Sequence, residues 1–338
     1  MRASPTPPAP GPRPLLVAGD AFADLSARVP RFPSEGGDAH ARRVLWSSGG
    51  SAANVAAAYA SLGSPARLLA RVGDDPAAAI ALRAARTAGV DLSLVQCDPG
   101  EPTGLCFVVV SDGGERTFFS ARGANARLSP PDDLPGLLAA ASGLHLSGYA
   151  LVGGASRGTA LALLAAARQH RLRLSVDLCL PLVEALREET LALLPGLDVV
   201  FGNESEVALL AGSAGGSAAQ ELVTRGVSVA VEKTGERGCV VASSDGAVEV
   251  PAFPVAAVDT TGCGDAFVAG FLHALSCGAA LPACGALGNA LGALAATAPG
   301  SGDALPGLEA VRSFVERSAR GADILPLLPP PSRREVTT

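Results

Sequence analysis

The 338-residue chain reads as an α/β protein built on a mostly parallel sheet covered by helices, with a few strands standing off that sheet. Three observations predict this. From Gly143 onward, short apolar β-rich runs alternate with helical patterns, as parallel strands joined by helical crossovers require. A polar, glycine-rich turn, Asp259–Gly264, leads into an apolar run with helical spacing at Phe267, Phe271, Leu272 and Leu275. Finally, Thr103–Val110 and Glu115–Ser120 flank Ser111-Asp112-Gly113-Gly114, a hairpin signal that interrupts the strand–helix rhythm.

Taken in order, Leu15–Ala18 is a short strand ending at Gly19-Asp20, with Asp24 four residues beyond Asp20. Ligands gather at the carboxyl ends of strands in open α/β sheets, so Asp24 is placed to meet a polyol. Trp46–Asn54 precedes a helix over Val55–Leu62 that Gly63 terminates. Gly49 and Gly50 remove side chains where a ligand or another backbone approaches, and Asn54 offers a sugar hydroxyl both a donor and an acceptor. Asp75 and Pro76 read as the cap and first residue of a helix through Ala88. Strands are expected at Leu144–Leu146, Leu172–Val176, Val199–Phe201 and Val227–Val231, with helices at Thr159–His170, Leu182–Leu194 and Ser205–Leu210. Asn203 with Glu206 forms a capping-box pattern at the start of the last of these. Phe253–Val258 is expected to end as a strand before the glycine-rich turn, and Cys284–Ala296 is expected to be helical.

That turn carries the chemistry. Gly262 and Gly264 expose backbone amides at a helix N-terminus, a site for an anion such as phosphate. A carboxylate at Asp265 is out of place if the site only holds an anion, but it suits a base that takes a proton from an incoming hydroxyl. An anion hole and a base on one turn read as phosphoryl transfer.

Composition sets outer limits. Apolar residues make up 48% and charged residues 17%, as in a globular protein, and a net charge of −6 disfavours nucleic acid as a partner. Seven scattered cysteines form no Cys-x-x-Cys pair, and His40, His145, His170 and His273 are too dispersed for a metal cluster. No apolar run reaches the roughly 18 residues of a membrane span. Proline-rich Met1–Pro14 lacks the apolar core of a signal peptide, so a cytoplasmic protein with reduced thiols and no membrane partner is expected. Domain bounds are expected at 1–14 for a disordered tail, 15–318 for the folded unit and 319–338 for a C-terminal tail.

Val258–Leu272, VDTTGCGDAFVAGFL, closely resembles the signature Asp-Thr-x-Gly-Ala-Gly-Asp-x-Phe of the ribokinase (PfkB) family of sugar and nucleoside kinases, with Cys263 for the usual alanine. Gly49-Gly50 with Asn54 resembles the family's first signature, Gly-Gly-x-x-x-Asn. The resemblance spans about Leu15 to Val315. It implies a ribokinase-like three-layer α/β/α sandwich with a mostly parallel central sheet and a small β lid, drawn from segments near 22–48 and 101–121. It also implies a homodimer through the lid, and an ATP- and Mg²⁺-dependent transfer to a hydroxymethyl group of a small sugar or nucleoside.

By that resemblance Asp265 is the base, and the amides of Gly262, Cys263 and Gly264 form the anion hole. Asp24, Gly49, Gly50 and Asn54 hold the substrate. Asn203 and Glu206 order water around Mg²⁺ and the phosphates. Lys233, Gly235 and Gly238 lie on the nucleotide-side turn, where Lys233 either reaches a phosphate or is exposed. Asn289 either contacts adenosine or sits on a solvated helix face. Asp259 and Thr261, with carbonyls of Ala295 and Gly300, match a monovalent-cation (K⁺) site.

Ribokinases proper carry Asn, Lys and Glu where Phe22, Ser51 and Ser147 stand, so the resemblance leaves the acceptor open among ketoses, keto-deoxy sugar acids and nucleosides. Two readings of other classes compete. Gly154-Ala155-Ser156-Arg157-Gly158 matches the Gly-x-Ser-x-Gly elbow of serine hydrolases, although no histidine follows in a suitable loop. A non-catalytic sugar-binding relative is the other, and it would be expected to lose Asp265.

Overall fold

Leu15–Ala18 (β1) is apolar throughout and divides its side chains between two cores, Leu15 and Val17 on one face, Leu16 and Ala18 on the other. That alternation makes it a central strand of a sheet covered on both sides. The computed structural model describes residues 12–113, 115–213 and 217–330. The strands that follow are β2 (Phe22–Val29), β3 (Arg43–Gly49), β4 (Ala66–Leu69), β5 (Arg71–Gly73), β6 (Gln96–Asp98) and β7 (Gly104–Ser111). Then come β8 (Arg116–Ala121), β9 (Gly143–Ser147), β10 (Arg173–Asp177), β11 (Val199–Asn203), β12 (Val229–Lys233), β13 (Gly238–Ser243) and β14 (Gly246–Pro251).

The large sheet has the order β14-β13-β12-β11-β10-β9-β1-β4. It is parallel from β4 to β12, and β13 and β14 add an antiparallel edge. Helices Ser51–Ser61, Cys263–Ser276 and Leu281–Ala295 cover one face, and Gly154–Gln169 and Glu204–Ala211 the other. A second sheet, β3-β2-β7-β8, stands apart and is the expected lid; β5 and β6 form a small parallel pair. The hairpin turn's Gly114 lies outside the described residues.

Several expectations change. Phe253–Val258 forms no strand: the ladder ends at Pro251 and the chain runs irregularly into the turn. Its side chains answer to the neighbouring helices instead, as Phe253 does by packing on Phe314 under Arg320. The 182–194 helix is two, Leu180–Ala185 and Arg187–Leu193, broken at Leu186. The helix after Asp75 likewise splits at Leu82.

The C-terminal tail is folded where it is described. Ile324 and Leu328 are buried, Arg312 donates to the Leu328 carbonyl at 3.1 Å, and a ring nitrogen of His273 lies 2.8 Å from that of Leu327. Proline content there reads as low complexity, but the few apolar residues between the prolines suffice to dock it.

Candidate active site

The parallel strands end in a polar row. Asp20 follows β1, Ser147 ends β9, Asp177 ends β10, Asn203 ends β11 and Lys233 ends β12, with Asp177 beside Ser147 and Asn203 beside Lys233 in the ladder. The glycine-rich turn and the lid close over this row.

In the turn, Gly262 caps the Cys263–Ser276 helix at φ 78°, a left-handed conformation that favours glycine. Gly264 and Asp265 stand in the first helical turn, whose amides have no carbonyl one turn earlier to bond. Cys263 departs from the expected anion hole. Its amide donates to the Thr260 carbonyl at 3.3 Å, which closes the turn and withdraws that donor. Among the described residues, the amides left for an anion are those of Gly262, Gly264 and Asp265. The Cys263 thiol is held neutral, burial pushing it up to about 11.

Asp265 is gripped from the first signature. Asn54 Nδ2 donates to Asp265 Oδ2 at 2.8 Å and to Ser301 Oγ at 3.0 Å. Asn54 is therefore committed to the candidate base rather than presented to a sugar, and its buried Oδ1 has no partner. Burial pushes the Asp265 carboxyl up to about 6, with the Asn54 hydrogen bond opposing and the charge of Asp177 adding. Asp24, on β2, faces the same space. Burial pushes it up to about 7, and the Asp265 charge adds to that. Gly49 is glycine because a side chain there would overlap the Asp24 carboxylate. Gly50, at φ 92°, has its α-carbon where a Cβ would strike the Asp20 carbonyl.

Lys233 is neither free nor exposed. Its Nζ donates to Asp177 Oδ1 at 2.7 Å, and a Cβ on Gly264 would lie 3.4 Å from that same nitrogen. Burial works against its charge, but Asp177 prevails and its pKa is raised. The ammonium thus stands beside Gly264, at the edge of the candidate anion hole. Asp177 is a residue that sequence reading missed. So are Asp20, bound by Arg122 through two nitrogens at 2.8 and 3.2 Å, and Ser301. The available signal was position: a polar residue closing an apolar parallel strand.

The capping box is present as expected: Glu206 N–H donates to Asn203 Oδ1 at 2.9 Å and Asn203 N–H to Glu206 Oε2 at 2.8 Å. Glu206 is buried, and that burial pushes its carboxyl up. Among the described residues no three His, Cys, Asp or Glu side chains converge as a metal cage. One buried carboxylate and an amide suit Mg²⁺ carried by phosphates and water, which keeps most of its shell. Glu204 is exposed and pairs with Arg237. Gly235 takes φ 60° beside open space, while a side chain on Gly238 would strike β14.

Asn289 is placed differently from either expectation. It is buried, not solvated, and its Nδ2 donates to the carbonyls of Val250 at 2.9 Å and Pro251 at 3.2 Å. Its donors tie helix Leu281–Ala295 to β14, leaving none for a nucleotide. Asp259 accepts from Thr261 N–H at 2.9 Å and Thr261 Oγ1 at 2.7 Å, from Gly300 N–H at 3.1 Å, and pairs with Arg116 of the lid at 3.0 Å. Asp259, expected at a K⁺ site, thus meets a guanidinium of the lid. Ser156 is fully buried and donates to the Gly153 carbonyl at 2.9 Å, inside a helix N-terminus. A hydroxyl held this way is no hydrolase nucleophile.

Residues 13–308 match the pfkB family carbohydrate kinase. The chain belongs to that family. It is 34% identical over 301 residues to an ATP-dependent ribose-1-phosphate kinase from Halopiger xanaduensis, covering 89% of this chain and 97% of the relative. It is 35% identical to a fructokinase from Klebsiella pneumoniae, covering 86% and 96%. A solved ribokinase from Arabidopsis thaliana, complexed with ribose and ATP, superimposes at a TM-score of 0.79 with 25% identity, covering 91% of this chain and all of that one. The ribokinase-like three-layer sandwich and the kinase class both follow from family membership. Among the described residues, no helix is long and apolar enough to cross a membrane.

Proposed function

We propose that this pfkB-family kinase transfers the terminal phosphoryl group of ATP to a hydroxymethyl group of a small sugar-like acceptor, with Asp265 as the base. The observation that carries this reading is one turn holding a carboxylate and unpaired helix amides side by side, with a lysine at their edge.

Asp265 accepts the acceptor's hydroxyl proton on a carboxylate oriented by Asn54. A raised pKa makes it a better proton acceptor than an ordinary aspartate, while leaving it ionised above about pH 6. The Gly262, Gly264 and Asp265 amides, at the positive end of a helix, stabilise charge on the transferring phosphoryl oxygens. Lys233 adds a fixed positive charge, held by Asp177 so that no side-chain motion is needed. Asp24 orients the acceptor. Asn203 and Glu206 would hold Mg²⁺ through water, and that ion would neutralise phosphate charge.

Phe22 supports a nucleoside as a second reading. It shares the site-facing side of β2 with Asp24, its ring is partly exposed, and it rests on Gly104. The outer lid face exposes Val44, Trp46 and Phe119, an apolar surface suited to a second copy of the lid.

ADP release measured against ribose, fructose, ribose 1-phosphate, a keto-deoxy sugar acid and adenosine tests the proposal. At least one acceptor is expected to raise ATP turnover well above the water background. No stimulation by any of them would overturn it.

A further inference from the structure

The lid's site-facing side is a ladder of three rungs, each set by strand register. The first joins Asp24 on β2 to Ser47 on β3 and Cys106 on β7. The second joins Ser26 to Leu45 and Val108. The third joins Arg28 to Arg43 and Val110, and Val110 in turn to Arg116 on β8. Because side chains alternate along a strand, all three rungs point the same way. They do line one space: a 180 Å³ cleft bounded by Asp24, Ser26, Arg28, Leu45, Val108 and Arg116 on the lid, and closed by Asp259, Thr261 and Ser301 opposite. Arg43 also lines it.

The chemistry of the rungs is graded. The first carries Asp24, whose carboxylate feels the charge of Asp265, the proposed base. The second is largely apolar. The third carries three guanidinium groups. Four residues of strand separate Asp24 from Arg28, roughly 13 Å at about 3.3 Å per residue. Arg116 spans part of that distance, its guanidinium reaching Asp259 and Thr260 of the turn.

The charges facing this rung are few. Asp259 is paired with Arg116 at 3.0 Å, and Asp112 takes Arg42 at 2.8 Å with Arg28 at a loose 3.8 Å. Among the described residues Arg43 has no carboxylate within ion-pair distance, and it is exposed. Arg116 and Arg28 thus each meet a carboxylate, Arg28 loosely, and Arg43 adds a positive charge to the cleft wall that an anion there would balance.

The geometry points to an anionic acceptor, a sugar bearing a phosphate or carboxylate whose hydroxymethyl end meets Asp265 while its charged end is read by Arg28, Arg43 and Arg116. This rests on the kinase reading and narrows its acceptor class. Guanidinium matches either anion through paired, charge-assisted hydrogen bonds.

The test compares kcat/KM for ribose 1-phosphate, 2-keto-3-deoxygluconate, ribose and fructose in the wild type, Arg43→Gln, Arg28→Gln and Arg43→Lys, each checked for folding by Tm. Hydrogen bonds to a charged group are worth about 1.5–3 kcal/mol, so the preference for the anionic over the neutral acceptor should fall roughly 10- to 100-fold in each Gln variant. The loss should lie mainly in KM, and Arg43→Lys should restore part of it. Ribose 1-phosphate leading assigns the rung to phosphate, and the sugar acid leading assigns it to carboxylate.

A wild type that prefers neutral ribose or fructose overturns the inference while leaving the kinase intact. So does a Gln variant that changes only the KM for ATP, which would give the rung to the nucleotide. Absence of turnover with every acceptor would instead defeat the kinase reading itself.

Discussion

The glycine-rich turn and the lid both face the same cleft, yet they are built in opposite ways. The turn is anchored on every side: Gly262 and Gly264 begin a helix whose Phe267 and Phe271 pack around Phe201 of the central sheet, and Asn54 holds Asp265 from the first signature helix. The lid is a four-stranded sheet that presents alternate side chains to the cleft and meets the turn through Arg116, which pairs with Asp259 and donates to Thr260 Oγ1. On the proposed reading, chemistry that needs fixed amides and a base in register with them falls in the more heavily anchored part. Choice of acceptor would then fall on a surface where exchanging one exposed side chain leaves the ladder intact. Relatives that share this fold and are named for ribose 1-phosphate and for fructose are what such a division allows.

The sharpest way to break that contrast is at the base. Asp265→Asn should keep the fold while lowering kcat by roughly 10²- to 10⁴-fold, the usual worth of a general base. Near-normal turnover would move the chemistry off the turn. In the wild type the base works only when ionised, and burial raises its pKa to about 6. Activity should therefore decline as pH falls through about 7, where Asp24 takes up a proton, and further through about 6, where Asp265 does. A profile that stays flat down to pH 5 would contradict the assignment.

A smaller effect is expected within the lid, where β3 packs on β2. Gly49→Ala places a methyl group on the Asp24 carboxylate. Overpacking of this kind costs about 1–3 kcal/mol, so Tm should drop and KM for the acceptor should rise more than kcat falls. An unchanged KM would show that Asp24 does not orient the acceptor.

How much of this was legible beforehand follows the same division. The turn, the Gly49-Gly50 pair and Asn54 stand out because glycines and a lone amide at fixed spacing have local causes. The parallel core was legible for the same reason, through alternation of apolar runs with helical ones. The role of Asn54 was not, because its partner Asp265 lies 211 residues away and only the fold brings them together. Asp177 left no mark for the same reason: its meaning depends on Lys233, two strands over in the sheet. Asn289 matched a relative's position in sequence, but β14 consumed its donors. The rung of arginines is invisible in linear order, since it needs four strands in register to exist.

The ion pair from Arg116 to Asp259 has a thermodynamic side. Asp259 also fastens Thr261 and Gly300, so a lid residue is part of the framework that shapes the glycine-rich turn. To the extent that an acceptor orders the lid, it does part of the work of ordering the turn before nucleotide arrives, and the reverse holds for nucleotide. Linkage then requires each ligand to tighten the other's binding by the same factor, whichever of them enters first. A random order of addition and an ordered one would share that single coupling constant. The Arg116–Asp259 pair is where it would be carried.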